Sequence, residues 1–156
     1  MNRILQIVVF AAVLFVTASC DNRRVFDQYK SIPKSSWQKD SLVVFNVPVD
    51  DTLQNHNLFI NVRNELNYRY SNLWLFVTIE QPGGTALKDT FELVLADPTG
   101  KWLGQGFGGL KTRQAVYRRN VFFPHSGTYF IRLQHGMRDE ELEGITDVGF
   151  RVEKIK

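Results

Sequence analysis

Hydrophobic and polar residues alternate with a period of two along most of the chain after Trp37. This alternation is typical of half-buried β-strands. It is clearest in four apolar sets, namely Leu58, Ile60 and Val62; Phe91, Leu93 and Leu95; Tyr129, Ile131 and Leu133; and Val148, Phe150 and Val152. Two further runs, 42–47 and 73–79, are apolar on both faces, as in central strands, and residues 115–123 predict another strand.

Turn-forming residues separate these segments. They occur at Asp50-Asp51, 81–84, 97–100 and Ser126-Gly127. No stretch of about 12 residues has the 3.6-residue period of an amphipathic helix. The pattern therefore predicts an all-β domain over residues 37–156. We expect an antiparallel β-sandwich of seven to eight strands, for which a jelly-roll-like arrangement is one form.

The N-terminus has the pattern of an export signal. After Met1-Asn2-Arg3, the run 4–16 is apolar except for Gln6. As a helix it would be about 20 Å long, which is shorter than the roughly 30 Å hydrocarbon core of a bilayer. A charged start, a short apolar run and small residues predict a secretory signal peptide over residues 1–19.

Cys20 directly follows that signal and is the only cysteine in the chain. A single cysteine excludes an intrachain disulfide and a cysteine-rich zinc site. Its position resembles a bacterial lipobox, although Thr17 stands where leucine is usual. We therefore predict acylation, for example with palmitate, at Cys20, and a tether to the membrane over residues 20–36. The alternative is an incidental cysteine after an ordinary cleaved signal.

Composition and charge exclude several functions. A hydrophobic fraction of 44% is that of a globular chain, and a formal charge of +3 is too small to indicate nucleic-acid binding. Residues 104–109 satisfy the spacing G-x-G-x-x-G, but no helix is predicted to follow, so we interpret them as a glycine loop without nucleotide. The three histidines lack metal-ligand spacing. No catalytic residue, metal or cofactor is predicted.

The aromatic residues are the stronger site candidates. Trp74 lies between two apolar residues of a predicted central strand, and Trp102 lies two residues before the glycine loop. If exposed, such side chains stack on sugars or anchor a protein partner. The alternative is that both fill the second face of a buried strand. A hydrolase with carboxylates near Asp97 and Asp139 is the least favoured interpretation.

Three groups of strings resemble one known family. They are NVRN at 61–64 with YRYSNLW at 68–74; DT at 89–90 with LADPTGKWLGQG at 95–106; and QHGMR at 134–138 with LEGITDVG at 142–149. In their order and spacing they are similar to the gliding-motility lipoprotein GldH family of Bacteroidetes. The resemblance covers nearly all of the chain after the signal.

The resemblance implies a cell-envelope lipoprotein that supports gliding together with other gliding lipoproteins and the type IX secretion machinery. It implies no enzymatic activity. The leading hypothesis is thus a membrane-anchored assembly or scaffold component, and the alternative is a glycan-binding β-sandwich module. The expected partners are membrane lipid at Cys20 and other envelope lipoproteins, with neither nucleic acid nor nucleotide. The candidates for a partner or glycan surface are Arg63, Asn64, Tyr70, Asn72, Trp74, Asp97, Trp102 and Arg138.

The residues after the lipidation site bear on localisation. Surface-exported lipoproteins of Bacteroidetes usually carry an acidic run directly after the cysteine, and here the sequence is Asp21-Asn22-Arg23-Arg24. We therefore expect a periplasm-facing protein. The two arginines either lie beside lipid headgroups or belong to a solvated tether.

Overall fold

The computed structural model describes residues 21–155, so the predicted signal peptide and Cys20 lie outside it. Within these residues the structure has ten β-strands and one 3₁₀ turn, Pro33–Ser35. The strands are β1 (Arg24–Ser31), β2 (Ser36–Gln38), β3 (Val43–Val49), β4 (His56–Glu65), β5 (Asn72–Glu80), β6 (Ala86–Val94), β7 (Leu110–Val121), β8 (Gly127–His135), β9 (Glu141–Glu143) and β10 (Ile145–Lys154). In this part of the chain no helix has the length and apolar character needed to cross a membrane.

Eight strands form two antiparallel four-stranded sheets. Sheet A has the order β1-β10-β4-β7, and sheet B has the order β3-β8-β5-β6. The first four strands of this sandwich (β1, β3, β4, β5) pair with the last four in reverse order (β10, β8, β7, β6). This is one long hairpin folded over into two sheets, which is the jelly-roll topology. The predicted fold class is confirmed.

The core lies between the sheets and is built from the predicted alternation. On β4, Leu58, Ile60 and Val62 are fully buried and face sheet B. The Phe45 ring on β3 lies 6.4 Å from that of Phe26 on β1 and 6.1 Å from that of Phe150 on β10. Burial of each such side chain stabilises the fold by about 1.5–3 kcal/mol, so the period-two pattern is what holds the two sheets together.

A two-stranded ribbon of β2 and β9 covers one end of the core. Trp37 of β2 is buried opposite Leu142 of β9, and its indole Nε1 donates to the carbonyl of Ser41 at 2.9 Å. Its ring packs 5.5 Å from that of His135 at the end of β8. Together with β1, the ribbon accounts for the three strands that lie outside the seven predicted segments. At three residues each, β2 and β9 are too short to have a recognisable period.

The predicted tether and the predicted domain start at residue 37 are corrected by strand β1. Residues 24–31 pair with β10 along their whole length, so the folded domain includes them. The sequence pattern did not predict this strand because β1 lies at the edge of sheet A. Only Phe26 of β1 is buried, and the other side chains of the strand are polar or partly exposed. The segment between Cys20 and the fold is therefore far shorter than expected.

Candidate functional site

Four of the eight predicted surface residues line one depression on the outer side of sheet B. This depression, the Trp74 pocket, has a volume of about 370 Å³. It is lined by Tyr70, Asn72, Trp74, Gly136, Met137 and Arg138. The lining residues come from the start of β5 and from the segment after β8. Two of the three resembling groups of strings thus meet at one place.

Trp74 projects from β5 to the outside because its neighbours Leu73 and Leu75 face the core. Its side chain is 40% exposed, which answers the question that the sequence left open. The backbone around it is fixed by the chain that follows β8. The Trp74 amide donates to Met137 Sδ at 3.4 Å, and its carbonyl accepts from the Gly136 amide at 2.7 Å.

Tyr70 and Asp139 hold the rim of the pocket. The Tyr70 hydroxyl donates to Asp139 Oδ2 at 2.8 Å, and Arg69 pairs with the same oxygen at 3.1 Å. The hydrogen bond from Tyr70, followed by that from Arg69, lowers the pKa of Asp139. The same bond raises the pKa of Tyr70. A charged carboxylate therefore fixes the phenol, and this carboxylate is already occupied by two donors.

The two remaining polar side chains of the pocket differ in whether they have a partner among the described residues. Asn72 Nδ2 donates to Glu92 Oε1 at 2.6 Å on the neighbouring strand β6, so its amide is oriented. Arg138 is exposed and forms no ion pair with the described residues. The pocket thus combines an exposed indole, an oriented amide and a cation. It can bind a ligand by stacking and hydrogen bonding.

Arg63 and Asn64 lie elsewhere, on β4 of sheet A. Arg63 pairs with Asp147 Oδ2 at 3.3 Å, and its guanidinium lies 4.8 Å from the ring centroid of Tyr29. Asn64 is buried, and its side chain donates to the carbonyl of Glu65 at 2.9 Å. Their local contacts are those of structural residues, and neither lines the Trp74 pocket.

Asp97 and Trp102 lie in the loop between β6 and β7. Asp97 Oδ1 accepts three hydrogen bonds within its own turn, from the Thr99 hydroxyl at 2.6 Å and from the amides of Thr99 and Lys101 at 2.9 and 3.0 Å. These bonds lower its pKa, with the Thr99 hydroxyl as the largest cause. Trp102 is half-buried against the core and pairs with Ala96. Both residues shape the loop.

The glycine-rich segment 104–109 is a loop, as predicted. It leads into strand β7, so it has no helix N-terminus of the kind that holds a pyrophosphate. Its backbone bends back onto β7, where Gln105 pairs with Thr112. One residue of the segment thus pairs with the edge strand of sheet A.

None of the described carboxyl groups with a shifted pKa has the raised value that is typical of a general acid. Those with shifted pKa values, including Asp97 and Asp139, are all shifted downwards by hydrogen bonds or cations. A glycosidase acid needs the opposite shift. Over residues 21–155 no group of three or more His, Cys, Asp and Glu side chains could hold a metal ion.

Sequence reasoning did not assign two contributors to this site: Met137, and Asp139, which it named only as a carboxylate of the hydrolase alternative. Both are next to Arg138, which it did identify, but their contacts with Tyr70 and Trp74 depend on how the end of β8 lies against β5. The signal available in the sequence was proximity alone, because the string at 134–138 places Met137 inside the resembling segment and Asp139 directly after it.

Comparisons with known proteins agree with the resemblance. The profile of the family described as "GldH lipoprotein" matches residues 24–152. "Gliding motility lipoprotein GldH homolog" of Christiangramia forsetii is 46% identical over 95% of this chain and 93% of its own. "Gliding motility lipoprotein GldH" of Flavobacterium johnsoniae is 43% identical over 95% of this chain and 94% of its own. A solved structure of infectious bursal disease virus covers 87% of this chain and 33% of its own, with 12% identity and a TM-score of only 0.30.

Proposed function

The chain belongs to the GldH lipoprotein family, and from this premise we propose that it is a non-enzymatic scaffold component of gliding or type IX secretion-linked machinery. Family membership makes it a membrane-anchored lipoprotein of the cell envelope. We place the anchor at Cys20 and the folded domain on the periplasmic side. The short sequence Asp21-Asn22-Arg23-Arg24, without an acidic run, supports this orientation.

The exposed Trp74 side chain is the observation that carries the scaffold role. An indole that is 40% exposed leaves a large apolar area in water, and such side chains dominate the binding energy of protein interfaces. Arg138 adds an exposed cation beside it. We therefore propose that the Trp74 pocket docks another envelope protein of the machinery, with the indole as the anchor of the interface.

The docking role is tested in the source bacterium by deleting the gene and restoring it as wild type, Trp74→Ala or Phe107→Ala. Phe107 is fully exposed on the loop between β6 and β7 and serves as the matched aromatic control. We expect Trp74→Ala to reach the membrane at the wild-type level but to reduce colony spreading and type IX cargo export. Full restoration of both by Trp74→Ala would show that the pocket is not the docking site.

The anchor and its orientation need separate measurements. Palmitate labelling should be present in the wild type and absent in Cys20→Ala, and equal labelling of the two would refute acylation at this residue. Protease added to intact cells should leave a periplasm-facing domain uncut until the outer membrane is permeabilised. Digestion in intact cells would place the domain on the cell surface instead.

Glycan binding is the second candidate, and the exposure of Trp74 beside an oriented amide favours it. Trp102, by contrast, is half-buried, so a sugar platform would have to be Trp74. The discriminating experiment is an array of envelope glycans probed with wild type, Trp74→Ala and Trp102→Ala. Binding that is lost in Trp74→Ala and kept in Trp102→Ala supports this candidate, and the absence of binding by the wild type removes it.

A further inference from the structure

The two ends of the sandwich differ in their relation to Cys20. Strand β1 begins, and β10 ends, at the same end of sheet A, because Arg24 pairs with Glu153. At that end, His56 at the start of β4 pairs with Lys154 and with Val121, the last residue of β7. We call this the anchor end. The Trp74 pocket lies at the start of β5, which is the opposite end.

Very few residues separate Cys20 from the anchor end. The Asp21 carboxylate binds the guanidinium of Arg151 in the middle strand β10. The carbonyl of Arg23 accepts from the amide of Lys154 at 2.8 Å. The fold thus starts at the first residue after the cysteine. Because one extended residue spans at most about 3.6 Å, a lipid on Cys20 would hold the anchor end against the headgroups.

Two apolar side chains protrude at this end. Leu53 is 91% exposed and Phe122 is 55% exposed. Leu53 belongs to the loop before β4, and Phe122 directly follows β7. Their segments are joined by a hydrogen bond from Asn55 Nδ2 to Asn120 Oδ1 at 2.8 Å, so both lie on one surface. The loop of Leu53 is tied to β10 by the ion pair of Asp51 with Lys154 at 3.1 Å.

The charges at the anchor end suit a phospholipid surface. Arg23, Arg24 and Arg119 are exposed and form no ion pair with described residues. Most of the acids beside them are held by two cations, since Lys154 binds the Asp51 carboxylate and Arg151 is shared by Asp21, Asp27 and Glu153. Asp50 is exposed without such a partner. Exposed arginines next to protruding apolar side chains match the layered chemistry of headgroups above acyl chains.

We propose that the anchor end is a membrane-docking surface, in which Leu53 and Phe122 enter the headgroup layer of the leaflet that holds the lipid on Cys20. Arg23, Arg24 and Arg119 then face the lipid phosphates. In this orientation the strands point away from the membrane, and the Trp74 pocket lies at the end of the domain that is distant from it. This inference rests on the proposed attachment at Cys20. That attachment places the bilayer at this end, and it is the reason that we propose a membrane and not a second protein as the occupant.

The experiment supplies the attachment chemically, so that it does not depend on acylation in the cell. The unacylated mature chain, starting at Cys20, is coupled through this single thiol to maleimide-phosphatidylethanolamine in phosphatidylethanolamine–phosphatidylglycerol vesicles. Hydroxyl-radical footprinting then compares side-chain oxidation in the coupled and free chains. Leu53 and Phe122 are the reporters, and Phe107, which is fully exposed at the opposite end, is the control.

We expect coupling to lower the oxidation of Leu53 and Phe122 at least about threefold and to leave Phe107 unchanged. Unchanged oxidation of the two reporters would overturn the proposal, as would equal protection of all three side chains. Protection that arises in the free chain on raising its concentration would assign the end to a second copy instead. An absence of palmitate labelling of the wild-type protein in the cell would, by contrast, refute the proposed acylation. It would not alter the footprinting results, because the coupling there is chemical.

Discussion

Arg118 on β7 donates a hydrogen bond from Nη2 to Oδ2 of Asp89 on β6, at 2.6 Å. These strands are edges of different sheets, so the pair joins the two sheets along one side of the sandwich. The Tyr117 hydroxyl donates to the same oxygen at 3.1 Å, and the Tyr117 ring packs 5.3 Å from that of Phe91. One carboxylate thus receives two donors from the opposite sheet.

Replacement of Asp89 should weaken this side of the sandwich. We expect Asp89→Ala to lower the free energy of unfolding by about 1–2 kcal/mol, because two donors lose their acceptor but the pair is partly exposed. Asp50→Ala, at an exposed acid without an ion pair, should change it by less than about 0.5 kcal/mol. Urea unfolding followed by tryptophan fluorescence measures both.

The effect of Asp89→Ala should depend on pH. The hydrogen bond from Arg118, as the largest cause, lowers the pKa of Asp89 from its ordinary value of 3.8. A lowered pKa contributes stability that is present above the unfolded value and is lost as the pH falls through the folded value. The difference between wild type and variant should therefore shrink below about pH 4. A constant difference down to pH 2 would contradict this assignment.

The buried histidines should make the fold sensitive to mild acid. His135 is fully buried, neither of its ring nitrogens has a partner among the described residues, and burial lowers its pKa. The unfolded chain takes up the proton near pH 6.5, whereas the folded chain does so only at lower pH. Stability should therefore fall as the pH drops below 6.5, by up to about 1.4 kcal/mol per pH unit for each such histidine.

His135→Leu should flatten this dependence between pH 7 and 5, and His125→Gln, at an exposed position, should leave it as in the wild type. His56 is also buried with a lowered pKa, so some dependence will remain in His135→Leu. Unfolding free energies at several pH values test this. A wild-type stability that is constant from pH 7 to 5 would disprove the role of both buried histidines.

Phe45 should be one of the most sensitive positions of the core. It is completely buried and packs against aromatic rings of two strands in the opposite sheet. Phe45→Ala should cost about 3–5 kcal/mol through lost burial and the cavity left behind. Phe107→Ala removes the same atoms from a fully exposed position and should be neutral within about 0.5 kcal/mol. Similar thermal midpoints of the two variants would argue against this packing.

Gly106 should tolerate no side chain, in contrast to Gly109 in the same loop. Gly106 has φ of 147°, and a Cβ there would lie 2.6 Å from the carbonyl oxygen of Leu110. Gly106→Ala should therefore destabilise the protein by about 1–3 kcal/mol. At Gly109 an added Cβ meets no atom within 4 Å, so Gly109→Ala should have little effect. Calorimetry of the pair separates local strain from a general effect of losing a glycine.

The sequence contains enough information to predict the strands with one apolar face, and much less to predict the edges. The alternation at Leu58, Ile60 and Val62 identified β4 because burial acts on every second residue. Strand β1 was missed because its pairing with β10 is made by the backbone. Its cation partner Arg151, which binds Asp27 at 2.7 Å, is distant in sequence.

The candidate site was predictable in its composition but not in its extent. Tyr70, Asn72 and Trp74 lie in one string, so their proximity follows from a single strand. That Arg138 joins them depends on the pairing of β8 with β5, which a single sequence does not specify. Arg63 and Asp97 were candidates for the partner surface through the resemblance, and their ion pair and turn hydrogen bonds serve the fold.

The position of β10 between β1 and β4 has a consequence for export. Strand β10 comprises residues 145–154, so sheet A has a gap at its centre until these residues are available. A chain that crosses a membrane N-terminus first cannot complete this sheet while its last strand is still on the near side. The topology therefore means that sheet A can be completed only after residues 145–154 have crossed.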